Sequence, residues 1–286
     1  MRQPQYYSGS GVFFDTHAHI ADRRFEEAGI TVPDILERAS QAGVKRILIP
    51  GDSEASSRKA VSTCLEMNGT HGVELFCSVG IHPHEAKDYT DDTEEYLRGM
   101  LSARKENRLC ALGEIGLDYY YDLSPRDVQQ EVFRKQLSLA YEYDIPIILH
   151  ERDATGDCLE ILKDFHKRGQ MRANPGVCHC CNMSPEAARE VVKIGFYIGF
   201  DGPLTFKNNK KGPVLAQETP LDRIVIETDS PYLTPEPNRG LTNEPAFVPF
   251  VAKKIAEIRN TDIEQIAEIT YHNGSKLYEI QGGTHV

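Results

Sequence analysis

Apolar residues along this chain fall into short β-branched runs, separated by longer segments with helical spacing. The short runs are VFFDTHAHI (12–20), RILIP (46–50), VELFCSVG (73–80) and LCALGEIGLD (109–118). PIILH (146–150), GVCHCC (176–181), YIGFDG (197–202) and RIVIETDS (223–230) follow. Each predicts a strand. Helices are predicted over 33–42, 53–67, 92–106, 125–144, 154–168 and 184–194, with two more at about 247–259 and 262–271. Pro33, Pro125 and the pair Ser184-Pro185 mark helix starts, while Gly43, Gly169 and Gly195 mark ends. The stretch 201–222 (DGPLTFKNNKKGP and beyond) predicts a long loop with one short helix. A second functional loop is expected over 231–246, rich in Pro, Gly and Asn.

Strands alternating with helices imply βαβ units and a parallel sheet, and eight is the number that closes a (β/α)8 TIM barrel. The C-terminal helices then complete an α/β single domain. An open doubly wound sheet is the competing architecture, but no Gly-rich phosphate loop follows the first strand. No repeat or linker divides the chain. The expected layout is an N-terminal extension over 1–11, a barrel over 12–281 and a C-terminal tail over 282–286.

Composition narrows the class. The 286 residues, 40% hydrophobic and 26% charged, suit one large domain with a sizeable core. No apolar run approaches the ~20 residues of a membrane helix, and MRQPQYYSGSG lacks the apolar stretch of a signal peptide. The seven cysteines, odd in number, are expected to be reduced thiols. Together these features predict a cytoplasmic protein, with a monomer as the working expectation. The net charge of −11 argues against a broad electrostatic grip on long nucleic acid. It leaves room for a phosphate at a metal centre, where two divalent cations would return +4 locally.

The candidate chemistry lies at the strand ends. His17 and His19 follow Asp15 on the first predicted strand, and alternation by two puts both imidazoles on one face. Glu114 lies near the end of the fourth strand, His150 ends the fifth, His179 is near the end of the sixth and Asp229 near that of the eighth. In a barrel these rims converge on one small area, where they can hold a pair of divalent ions with a two-oxygen carboxylate as bridge. An HxH pattern alone is weak, and a lone His at a strand end is more often a packed or surface residue. The convergence of all six residues is what points to metal.

Six blocks in order, DTHAHI, GIHPHEA, GEIGLDYYYD, PIILHERDA, VCHCC and ETDSPYLTP, resemble the TatD family of metal-dependent deoxyribonucleases. PNRGLTNEP (237–245) is similar to the family's RGxxNEP loop, and the resemblance runs from about Phe14 to about Leu277. It implies a TIM-barrel phosphodiesterase of the amidohydrolase-like group. By the same resemblance, His17, His19, Glu114 and Asp229 would hold one metal ion. Glu114, a catalytic residue as well as a ligand, would bridge to a second ion held by His150 and His179. Asp229 would double as general base, and His82, His84 and Arg152 would approach substrate phosphate, Arg through its bidentate fork. The implied cofactors are two divalent ions (Mg, Mn or Zn), and the implied activity is 3′-5′ exonuclease action on single-stranded or frayed DNA ends. One departure is visible: where the family commonly reads HCFxG, this chain has His179-Cys180-Cys181-Asn182-Met183. The fourth-strand Glu114 favours this family over relatives that bridge through a carboxylated lysine.

Other readings compete. Cys178, Cys180 and Cys181 lack the second Cys pair of a zinc finger, and alternation predicts that Cys178 and Cys180 point away from His179 into packing. Tyr119, Tyr120 and Tyr121 could stack bases, or pack under the adjacent helix. Lys207, Lys210 and Lys211 read first as a solvated loop and second as phosphate contacts. The same metal centre could instead serve an aminoacyl-tRNA ester deacylase, a cyclic amidohydrolase or a phosphotriesterase. A binding scaffold with a vestigial site is the non-enzymatic alternative.

Overall fold

Strands β1 (Phe13–Asp15), β2 (Val44–Ile49), β3 (Glu74–Val79), β4 (Leu109–Asp118), β5 (Ile147–Arg152), β6 (Gly176–Cys178), β7 (Tyr197–Phe200) and β8 (Ile224–Ile226) pair in parallel, in sequence order, in this computed structural model. It describes residues 3–281, so the expected tail over 282–286 lies outside the described residues. The sheet closes between β8 and β1 through Thr16 N to Ile226 O (3.1 Å), Asp229 N to His17 O (2.9 Å) and His19 N to Ser230 O (2.8 Å). The expected (β/α)8 barrel is therefore present. Its helices are α1 (Arg23–Glu27), α2 (Val32–Gln41), α3 (Glu54–Met67), α4 (Asp91–Ser102), α5 (Arg126–Glu142), α6 (Thr155–Lys167), α7 (Pro185–Ile194), α8 (Lys211–Glu218), α9 (Val248–Arg259) and α10 (Ile263–Leu277).

Strand alternation sorts the apolar residues into two layers. Phe14, Leu48, Ala111, Ile148, Val177, Tyr197 and Val225 fill the barrel interior, where Leu277 and Tyr278 pack with them. Their neighbours Phe13, Ile47, Leu112, Leu149, Cys178, Ile198 and Ile226 face outward against Leu36, Leu137, Ile161, Val191 and Ile255 of the helices. Each such fully buried side chain contributes about 1.5–3 kcal/mol relative to exposure.

Local chemistry explains the differences from the expected boundaries. α1 carries no periodic signal, since five residues are too few for one; Asp22 caps it by accepting from Arg24 N at 2.7 Å. α10 continues past 271 because Asn273 is buried and its amide donates to Leu221 O and Ile224 O, each at 2.8 Å. β6 stops at Cys178, and Cys180 adopts a left-handed φ of 43°. The N-terminal segment is fastened to the barrel. Asn238 exchanges two hydrogen bonds with the Gln5 backbone, and Tyr7 meets Phe13 edge to face.

One irregularity positions the site. On β4 the pairing shifts between Leu112, opposite Ile147, and Ile115, opposite Leu149. Three residues thus advance against two, which is a β-bulge. It changes the phase of alternation, so Glu114, Gly116 and Asp118 turn inward while Ile115 and Leu117 stay in the outer layer. Gly113 makes the bulge feasible: its φ is +156°, and a Cβ there would lie 2.6–2.9 Å from Ile148 atoms.

Candidate metal centre

Nε2 of His17 and Nε2 of His19 face each other at 3.2 Å. Oε2 of Glu114 and Oδ1 of Asp229 each stand 3.5–3.6 Å from both nitrogens. Ligands about 2.0–2.1 Å from a tetrahedral ion are separated by about 3.3 Å, so this donor set has the spacing of a coordination shell. Two imidazole lone pairs at that distance repel unless a proton or a cation lies between them. The residues present fit a metal ion.

On the other side of Glu114, Oε1 lies 3.3 Å from Nε2 of His179 and 3.8 Å from Nδ1 of His150. Ligand atoms of His82, Glu114 and His150 lie within 4.8 Å of one another, as do those of His17, His179 and Asp229. The structure thus brings all six expected metal ligands around one carboxylate. It also sets His82, expected only near phosphate, within ligand distance of His150 and Glu114.

Outer residues fix the imidazoles. Oδ2 of Asp118 bonds Nε2 of His150 at 3.1 Å and Nε2 of His84 at 2.9 Å, which leaves Nδ1 of His150 for the centre. Oε1 of Glu227 lies 3.1 Å from Nδ1 of His179 and leaves Nε2 to face Glu114. Asp15 accepts from Thr228 N (2.9 Å) and Thr228 Oγ1 (2.6 Å), tying β1 to the segment that carries Asp229. Carboxylates behind imidazoles are the usual way to orient metal-binding His. Asp118 and Glu227 are the functional residues that motif reasoning passed over. Alternation by two finds both: two steps on from Glu114, past Gly116, reach Asp118, and one step back from Asp229 reaches Glu227.

The electrostatics agree with cation binding. Burial lowers His17, with His179 adding to the effect, and lowers His82 far below the ordinary imidazole range. Burial would raise Glu114, but His17 and the hydrogen bond from His150 hold it well below the carboxylate range. For Asp229 burial is likewise outweighed, by His19 first. Burial also opposes His19 and His179, yet Asp229 and Glu114 push His19 up to about 9, and Glu227 and Glu114 push His179 up to about 10. Protons and metal compete for the same atoms.

A cleft of about 300 Å³ opens on this cluster, lined by His19, His82, His84, Glu114, His150, Arg152, His179 and Asp229 among others. All three expected phosphate contacts are therefore at its wall. The Arg152 guanidinium lies 4.0 Å from the Tyr120 ring centre and 4.8 Å from that of Tyr121. Tyr120 and Tyr121 are exposed, whereas Tyr119 packs inward and donates to Asp157 at 2.7 Å. Lys207 and Lys210 are exposed on the loop, and Lys211, exposed at the start of α8, borders a cleft that also includes Arg152. One expectation is corrected. Cys178 is buried in the outer layer, but Cys180 lines a cleft beside His179, because its left-handed backbone ends the alternation.

Comparison with known proteins gives the same picture. Residues 14–279 match the family described as TatD related DNase. The chain is 40% identical over 269 residues to the uncharacterized metal-dependent hydrolase YabD of Bacillus subtilis strain 168, covering 94% of this chain and 100% of that one. It is 30% identical over 273 residues to the 3′-5′ ssDNA/RNA exonuclease TatD of Cronobacter sakazakii, covering 93% and 97%. The crystal structure of YJJV, a TatD homolog from Escherichia coli K12, superposes with a TM-score of 0.83 at 28% identity, covering 94% and 98%. With the match spanning the barrel and the ligand cluster at its centre, this chain belongs to the TatD family and is a metal-dependent hydrolase.

Proposed function

We propose that this protein is a two-metal exodeoxyribonuclease that shortens single-stranded or frayed DNA from the 3′ end. The observation that carries the reading is Arg152. It lines the cleft of the metal cluster and is braced by two exposed tyrosines. A planar fork of donors beside a cation site matches a phosphate with bidentate geometry.

His17, His19, Glu114 and Asp229 would hold one divalent ion. The second oxygen of Glu114, with His150 and His179, would hold another. Mixed imidazole and carboxylate ligation suits zinc, manganese or magnesium. Bound there, such ions supply Lewis acidity that lowers the pKa of water and neutralises phosphate charge. Asp229, held ionised beside His19, takes the proton of the attacking water. Arg152 binds the non-bridging oxygens, His82 and His84 close the same wall, and Tyr120 and Tyr121 offer faces on which bases stack. A surface of net charge −11 disfavours long duplex away from the metals, so a free end is the natural entry. All seven cysteines are free, which suits a reducing cytoplasm, and no helix among the described residues is long and apolar enough to cross a membrane.

Digestion of a 5′-labelled single-stranded oligonucleotide with added Mn²⁺, Mg²⁺ or Zn²⁺ tests this. The expected result is a ladder shortening from the 3′ end, with closed circular single strands resistant. Equal rates on circles would make the enzyme an endonuclease. An intact oligonucleotide alongside hydrolysis of an aminoacyl ester, cyclic amide or phosphotriester would overturn the nuclease reading.

A further inference from the structure

We propose that a second cleft beside the metal centre holds the terminal nucleoside of the strand, with Asp201 selecting it by a hydrogen bond. The inference rests on the nuclease reading above and identifies which part of the substrate is recognised, and where.

The cleft, about 440 Å³, lies among the loops that follow β6, β7 and β8. That volume falls within the roughly 300–1,000 Å³ of small-molecule sites. It shares His150, Arg152, His179 and Asp229 with the metal-centre cleft, so the two are continuous. A ligand with its phosphate at the metals would have the adjoining group within reach of this space. Phe200, Leu204, Phe206 and Leu233 contribute the apolar wall. Arg239 lies 3.9 Å from the Phe206 ring centre and braces it. Thr205 stiffens the rim by donating to Gly202 O (2.7 Å) and accepting from Glu236 N (2.8 Å), which joins the β7 loop to the β8 loop.

Asp201 is the unusual member. It follows β7 directly, and its carbonyl accepts from Leu204 N at 3.0 Å, which sets the turn. The residue is 5% exposed, yet it lines the cleft; the Cys180 thiol is hydrogen-bonded to its side chain, while its Oδ2 has no hydrogen-bond partner among the described residues. Buried polar atoms are nearly always paired, so a carboxyl with an unpartnered oxygen on a residue that lines a cleft calls for a donor from a ligand. Apolar rings beside it favour a flat group. A nucleoside offers both, a base with stacking faces and N–H edges, and a sugar hydroxyl. Arg152 and the metal ligands attract phosphate at one end, which leaves the base or sugar for the space beside Asp201. The Cys180-Cys181-Asn182 segment borders the same cleft, so the residues that depart from the usual family pattern sit where terminal-base contacts would be made.

The test compares wild type, Asp201→Asn and Asp201→Ala in the presence of Mn²⁺. The substrates are oligonucleotides differing only in the 3′-terminal base and bis(para-nitrophenyl) phosphate, a diester without base or sugar. Asp201→Ala should raise KM for the oligonucleotides about tenfold, the size of one lost hydrogen bond. The change on the base-free diester should be clearly smaller, and the ranking of terminal bases should shift. Asp201→Asn keeps the size and tests the acceptor without opening space. Free deoxynucleosides, followed by saturation-transfer NMR, should bind wild type and lose binding in Asp201→Ala. Oligonucleotide cleavage with equal losses on both substrate types, or wild type that binds no deoxynucleoside, would overturn the inference and leave the nuclease reading intact. Deoxynucleoside binding that depends on Asp201, without cleavage of any oligonucleotide, would support the cleft and remove the nuclease reading.

Discussion

Oε1 of Glu227 lies 3.1 Å from Nδ1 of His179, and this contact turns the other nitrogen of that ring to within 3.3 Å of Glu114. The same Glu227 oxygen accepts the backbone N–H of Cys180, so one buried carboxylate sets both the imidazole and the turn after it. Gly199 leaves the room: a Cβ there would stand 2.7 Å from each Glu227 oxygen. Outer-shell partners of this kind influence metal affinity by about 10–100-fold. Glu227→Gln should therefore weaken Mn²⁺ or Zn²⁺ binding by about that factor. Gly199→Ala should act in the same direction by displacing the carboxylate. Calorimetric titration reads both, and unaltered affinity in the pair would detach Glu227 from the centre.

Asp229 sits at a φ of 54°, a left-handed conformation that Asn adopts as readily as Asp. Asp229→Asn should keep its backbone, including the bond from its N–H to His17 O, and its thermal unfolding should barely move. An amide cannot accept the proton of water, so hydrolysis should fall by about 10²–10⁴. A loss below about tenfold would mean that another group takes the proton.

Much of this is legible in the sequence, for reasons that particular residues show. Strand ends carrying His150 and His179 follow simple alternation from Ile148 and Val177, so their inward aim could be counted. Glu114 could be identified but not aimed, because the bulge at Gly113 reverses the phase and leaves only a glycine as its trace. Cys180 departs from its expected direction for the opposite reason: alternation does not apply beyond Cys178, where β6 ends. Asp118 and Glu227 lay inside quoted motifs, and only the contacts of their carboxylates separate them from their neighbours. The N-terminal segment carries no periodic signal, since isolated aromatic contacts and hydrogen bonds to distant residues hold it.

That segment supplies a pH test. Tyr6 packs on Phe247 with ring centres 5.6 Å apart and the planes tilted by 38°, and faces Glu244, which Arg38 clamps at 2.6 and 2.8 Å. Burial, then the Glu244 charge, push the phenol up to about 12 against the partial opposition of Arg38. A folded-state pKa above the unfolded value of 10.0 contributes stability that is complete below pH 10 and is lost as pH rises toward 12. Tyr6→Phe, which cannot ionise, should lose less stability over that interval than wild type in denaturant melts. Identical alkaline losses would show that Tyr6 ionises no later in the folded chain than in the unfolded one.

The phosphate reading of Arg152 can be separated from a purely structural one by salt. Arg152→Lys preserves charge but replaces a rigid two-point fork with a single point, so kcat/KM on oligonucleotides should fall about tenfold or more, as expected for one lost charge-assisted hydrogen bond. Because the charge persists, the dependence of binding on salt should stay as in wild type. Arg152→Met keeps an apolar stem over Tyr120 and Tyr121 but removes the cation, and the logarithmic salt slope for a single strand should shrink by about 0.7. If Arg152 merely props the tyrosines, Met should serve as well as Lys and the slope should not change. Counterion release is insensitive to packing, so a slope that shrinks in Met but not in Lys identifies a phosphate at Arg152 even if both variants are slow.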